Sequence, residues 1–184
     1  RGGPQTVLQG MTLAQSRAGM SPAVMAEGLD GADTSGQDAY IASMTSHGVQ
    51  VDVLDPNWGR RETEAQIRAA VQESDVVHIH CVWESHLYQA ARWARRLGRP
   101  YIVTPHGMLD EWSLRKSWLR KRVYMKWRLE SVMRHAAALH LMTERERDSV
   151  ARLKLNTTEL VEAVGLHMAE YETIAPRSEL EAWI

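Results

Sequence analysis

Short runs rich in β-branched residues recur along this chain, each separated from the next by a stretch with helical spacing, and that alternation restricts the fold most. Val49-Gln-Val-Asp-Val-Leu54 alternates cleanly and stops at Asp55-Pro56. Val76 to Val82, Tyr101 to Thr104, Ala138 to Met142 and Leu160 to Val164 are further strand runs, and Ala23 to Met25 is a shorter candidate. Between them lie predicted helices over Gln5 to Arg17, Gln37 to Ser46, Glu62 to Glu73, His86 to Leu97, Ser113 to Arg134 and Thr143 to Leu153. Strands that alternate with helices form a parallel sheet covered by those helices, so the expected class is doubly wound α/β. Such a sheet carries its functional loops at the carboxyl ends of its strands.

Bulk properties narrow the field. A chain of 184 residues suits one domain, and a net charge of −1 gives no overall pull toward nucleic acid. One cysteine, Cys81, excludes an internal disulfide and fits a reducing, cytoplasmic setting. No apolar run reaches the ~18–20 residues of a membrane span. The chain opens on Arg1-Gly2-Gly3-Pro4 without an initiator Met or a leading strand, and stops at Ile184, so a piece of a longer protein is expected.

Four groups of residues could carry chemistry. Gly2 and Gly3 precede a helix, where backbone amides can approach an anion, or can simply form a tight turn. In Asp75-Val-Val-His78-Ile-His80-Cys81-Val-Trp83, strand alternation puts His78 and His80 on one face. That spacing suits a metal-dependent hydrolase extended by Cys81, His86 or His106, and equally suits histidines satisfied by hydrogen bonds. Thr104-Pro105-His106-Gly107-Met108-Leu109-Asp110 comes directly after a strand. Pro105 and Gly107 fix the chain around His106, which can bind a phosphate or sugar hydroxyl or move a proton.

The fourth group is the helix from Ser113 to Arg134. Arg115, Lys116, Arg120, Lys121, Arg122, Lys126, Arg128 and Arg134 face one carboxylate, Glu130, with Trp112, Trp118, Tyr124 and Trp127 interleaved. Cations among aromatics fit an anionic membrane surface, a nucleic acid, or a solvated face with its aromatics turned inward. Farther on, Thr143 and Glu146 have capping-box spacing, with the Thr143 hydroxyl accepting from the Glu146 amide and the Glu146 carboxylate returning to the Thr143 amide.

Taken in order, Gly2-Gly3-Pro4 before a helix, Asp75-Val-Val-His-Ile-His80, Trp83, Pro100-Tyr-Ile-Val-Thr-Pro-His-Gly-Met-Leu109 and Ala137-Ala-Leu-His-Leu-Met-Thr-Glu144 resemble the N-terminal domain of family-four glycosyltransferases. The resemblance implies a GT-B half: a Rossmann-like, acceptor-side domain over residues 1–164, lacking the family's central first strand, with 165–184 starting an interdomain linker. It implies transfer of a sugar, with retention, from a nucleotide-sugar donor to a glycan or lipid-linked acceptor, as in polysaccharide biosynthesis. His106 would then lie by the transferred sugar and Gly2 and Gly3 by the donor diphosphate, with no metal or other cofactor. The basic helix, with Arg115, Lys116, Arg120, Lys121, Arg122 and Lys126, would touch the acceptor or the inner face of the membrane. Glu162-Ala-Val-Gly165 departs from the family's usual hinge. Without the second domain's donor-binding groups the chain alone is expected to be inactive.

Overall fold

The computed structural model describes residues 3–28, 35–115 and 118–165, apart from the side chains of Ser35, Trp118 and Arg120. In chain order these form α1 (Gly3–Arg17), β1 (Ala23–Glu27), α2 (Ser35–Thr45), β2 (Gln50–Leu54), α3 (Arg60–Glu73), β3 (Val77–His80), α4 (Ser85–Arg96) and β4 (Tyr101–Thr104). Next come α5 (Glu111–Arg115), α6 (Trp118–Tyr124), a π-helical turn (Met125–Leu129), α7 (Glu130–Arg134), β5 (Ala138–Leu141), α8 (Glu144–Ala151) and β6 (Glu159–Val161). Every predicted strand run is present, with shifted ends. Val76 lies outside β3 and is exposed, and the last strand begins at Glu159 and stops at Val161. The linker expected over 165–184 falls, beyond Gly165, outside the described residues.

All strand pairs are parallel, as the strand–helix alternation requires, because a parallel neighbour can be reached only through a crossover. The strands fall into two groups, β1-β2 and β3-β4-β5-β6. Among the described residues no ladder joins β1 to β3. His86 at the start of α4 bridges the break, with Nδ1 3.4 Å from the Glu27 carboxylate at the end of β1. Burial lowers the His86 pKa despite Glu27 and Glu84, so the contact is less than a full ion pair.

The core shows the same division. Val24, Met44 and Val49 form a small cluster with Leu8, Leu13, Tyr40 and Val51, and the Gln9 side chain ties α1 to α2 through Ser43 at 2.9 Å. The main core gathers Ile67 and Val71 of α3, Ala91 and Ala94 of α4, Tyr101 and Val103 of β4, Leu139 and Leu141 of β5, and Val150 of α8. Each large aliphatic side chain buried there stabilises the fold by about 1.5–3 kcal/mol. Tyr101 is almost wholly enclosed, and its hydroxyl donates to the Val132 carbonyl at 2.5 Å, fastening β4 to α7.

The helix expected to run unbroken from Ser113 to Arg134 is interrupted. Residues 116–117 lie outside the described residues, and Met125–Leu129 widens into a π turn. A π turn accommodates one extra residue and so rotates the next helical turn about the axis. Before it, Leu119 and Val123 point to solvent; its last residue, Leu129, and then Val132 and Met133 enter the core.

Candidate active site

Three parallel strands end side by side and bring four histidines together. In β3, alternation places His78 and His80 on one face as expected, with ring centroids 4.2 Å apart, while Ile79 between them enters the core. His80 pairs in register with Thr104 of β4, and the β4–β5 register continued by one residue sets His140 beside Thr104. His106 stands two residues beyond β4. Its Nε2 lies 2.9 Å from His80 Nδ1, with the two rings stacked at 5.2 Å.

A second line of contacts crosses the strands. His78 Nε2 is 2.7 Å from Thr104 Oγ1, which is 3.1 Å from His140 Nδ1, and His140 Nε2 is 3.1 Å from the Glu162 carbonyl oxygen. Burial, then the neighbouring His140 and His106, lowers the His78 pKa to about 4. Burial and the surrounding histidines take His80 down to about 3, and burial with His140 lowers His106. At neutral pH these three rings are therefore uncharged and each holds one hydrogen.

The His106 loop is strained at its tip and clamped at its base. His106 and Gly107 both take left-handed backbone (φ 54° and 69°), a conformation that favours glycine and tolerates histidine better than most residues. Cys81, the first residue after β3, does the same at φ 70°. Non-glycine residues held in this region cluster at functional sites when the surroundings enforce the geometry. Here α8 enforces it. The Glu146 carboxylate, 4% exposed, accepts from the Gly107 amide at 2.6 Å and the Met142 amide at 2.8 Å. Ser149 donates to the Asp110 carboxylate at 2.9 Å.

Half of the expected capping box is present. Thr143 Oγ1 accepts from the Glu146 amide at 3.1 Å, as predicted. The carboxylate, however, goes to Met142 and Gly107 rather than to the Thr143 amide. Its second oxygen is drawn to a buried donor in another loop, where an unmet amide costs about 1–3 kcal/mol.

The cluster foreseen for a metal does not assemble. The facing nitrogens of His80 and His106 are spent on each other and His78 Nε2 on Thr104, while His86 turns to Glu27. Burial and Glu84 raise the Cys81 pKa to about 11, which keeps the thiol protonated. Among the described residues no three His, Cys, Asp or Glu side chains converge as a metal site. Gly3 opens α1 with nothing within 4 Å of where a Cβ would stand; Gly2 lies outside the described residues.

The basic segment divides its labour. Lys121 donates to the Ser113 carbonyl at 2.6 Å and sits 4.9 Å over Trp83; Arg128 lies 5.0 Å over Tyr88; Arg134 binds Glu130 and the carbonyls of Lys154 and Leu155. Arg115 pairs with Glu111 on the surface. Arg122 and Lys126 are exposed, and Lys116 and the Arg120 side chain lie outside the described residues. Two aromatics are not turned inward: Trp112 is 82% and Trp127 80% exposed. Leu119, Val123 and Trp127, spaced four apart, line a shallow apolar groove of about 510 Å³ with Tyr124 and Arg128.

Sequence reasoning gave His140, Thr104 and Glu146 no part in the site. All three act through partners 22 to 39 residues away. Only the register of the sheet brings them together.

One solved structure agrees with this architecture. The crystal structure of Anabaena Alr3699/HepE in complex with UDP-glucose superposes with a TM-score of 0.64 at 17% identity. The match covers 100% of this chain and 46% of that one, so the present chain spans less than half the neighbour's length. An isoflavone reductase structure reaches a TM-score of 0.44 at 11% identity, covering 98% of this chain and 83% of the other. No curated protein matches in sequence. The parallel sheets and covering helices make a Rossmann-like α/β architecture of the GT-B type. The Glycosyl transferase 4-like domain matches residues 2–163, nearly the whole chain, and the protein belongs to that family.

Proposed function

We propose that this chain is the acceptor-side half of a retaining glycosyltransferase that moves a sugar from a nucleotide-sugar donor to a glycan or lipid-linked acceptor. The observation that carries the reading is the clamped, left-handed His106 loop at the carboxyl edge of a parallel sheet, in a chain of the glycosyl transferase 4-like family. An uncharged imidazole there can hydrogen-bond a sugar hydroxyl without repelling or trapping the donor. The structural neighbour in complex with UDP-glucose supports a nucleotide-sugar donor. Gly2 and Gly3, at the head of the 15-residue helix α1, would offer amides to the diphosphate, aided by the positive end of the helix. No metal has a role in this reading.

Stabilising the departing diphosphate falls to groups of a second domain, so the chain by itself transfers nothing. In the full-length parent, His106→Ala is expected to lower turnover by about a hundredfold, the usual scale for removing one positioned polar group. The assay is release of nucleotide diphosphate with and without acceptor. Turnover unchanged by that substitution would remove His106 from the reaction.

We further propose that the segment Arg115 to Lys126, with Lys116, Arg120, Lys121 and Arg122, meets an anionic membrane face on the cytoplasmic side. The exposed Leu119, Val123 and Trp127 beside Arg122 and Lys126 support this, because apolar side chains that enter lipid and cations that meet headgroups share one side. No described helix is long and apolar enough to cross a membrane.

A further inference from the structure

The hydrogen bonds running from His78 to Glu162 admit one polarity while the rings are neutral. A backbone carbonyl can only accept, so the His140 nitrogen 3.1 Å from the Glu162 oxygen, Nε2, carries its hydrogen. In the neutral ring Nδ1 is then bare, and it faces Thr104 Oγ1 at 3.1 Å. The Thr104 hydroxyl, wholly buried, has a single hydrogen and gives it to His140. Its lone pairs then accept from His78 Nε2 at 2.7 Å, which fixes the His78 hydrogen on Nε2 and leaves Nδ1 bare. Three bonds thus point the same way across β3, β4 and β5, and bonds so aligned strengthen one another.

We propose that Thr104 and His140 are positioning residues of the transfer site: they hold the hydrogen of the neutral His78 ring on Nε2, and with it the orientation of a ring that lies 4.2 Å from His80, the partner of His106. This role rests on the proposed place of His106 beside the transferred sugar. The coupling is geometric: the His78 and His80 ring centroids are 4.2 Å apart, so the orientation of one ring limits that of the other. While neutral, His80 and His106 are two imidazoles 2.9 Å apart, which need one hydrogen between them. Whichever ring supplies it, the two remaining nitrogens are then one donor and one acceptor. That pairing matches a hydroxyl group, which both donates and accepts, and this is the substrate chemistry the pair would recognise.

The hydrogen positions can be read directly in this chain. Long-range proton–nitrogen correlation NMR of ¹⁵N-labelled protein at about pH 8, above the ordinary histidine range, separates protonated from bare ring nitrogens. The expected pattern for His78 is a protonated Nε2 and a bare Nδ1. Thr104→Ser keeps the hydroxyl and should retain it; Thr104→Val keeps the shape but removes the relay, and should give a mixture of His78 tautomers. A His78 hydrogen on Nδ1 in the unaltered protein would overturn the proposal, as would an unchanged pattern in Thr104→Val. Should Thr104→Val fail to fold, the unaltered protein and Thr104→Ser still decide. Failure of sugar transfer in the full-length parent would count against the functional reading and leave this hydrogen pattern untouched.

Discussion

Glu146 of α8 holds the Gly107 amide at 2.6 Å across 39 residues of sequence, and through it fixes the loop that displays His106. The same carboxylate takes the Met142 amide, so one buried side chain joins the loop after β4 to the end of β5. Glu146→Gln keeps the shape but offers one carbonyl oxygen for two amide donors and aims an NH₂ group at the other. It should lower stability by about 1–3 kcal/mol, the cost of leaving a buried donor unmet. Glu146→Asp, too short to reach both, should do no better. Urea unfolding measures both; stability equal to the original chain would mean that the loop is held by other means.

Acidification tests the buried histidines. The folded chain holds His78 and His80 neutral down to about pH 4 and 3, whereas an unfolded chain protonates them near 6.5. Between those limits the unfolded state binds more protons, so stability rises with pH and is lost as pH falls below about 6.5. Proton uptake on unfolding at pH 5 should include a contribution approaching two from this pair. His80→Asn should flatten that part of the profile. An equally steep acid limb in the variant would assign the uptake to other groups.

Much of the architecture was legible because it depends on local pattern. Val49 to Leu54 alternates, Asp55-Pro56 ends it, and Gly98 stops α4 at φ 67°. The same-face placement of His78 and His80 comes from a period of two and was found. The hidden features depend on pairing across strands. Nothing near Thr104 in the sequence announces that its hydroxyl stands between His78 and His140. The capping spacing of Thr143 and Glu146 located the helix start, but could not disclose that Gly107 would compete for the carboxylate. Helical periodicity across Ser113 to Arg134 likewise passed over the π turn, because the shift in facing shows only against a core.

The exposed ridge makes a separable prediction about lipid. Trp127→Ala together with Val123→Ser should reduce co-sedimentation with vesicles rich in anionic lipid by several-fold, through lost apolar burial. Removing charge with Arg122→Gln and Lys126→Gln should weaken binding by about 1 kcal/mol per cation, and added salt should mimic that loss. Binding indifferent to lipid charge and to salt would leave the segment as a solvated surface.

The break between β1 and β3 divides the molecule's cooperativity as well as its sheet. Residues from α1 to β2 carry their own small core around Val24, Met44 and Val49. They reach the remainder mainly through side chains such as Leu54, Met25 and the Glu27–His86 contact. Among the described residues no backbone ladder is shared, so little obliges the two parts to melt together, and local opening tracks such seams. Amide hydrogens of β1 and β2 should therefore exchange through an opening that leaves β4 and β5 protected. The histidine-bearing strands would then keep their arrangement while the first third of the protein breathes.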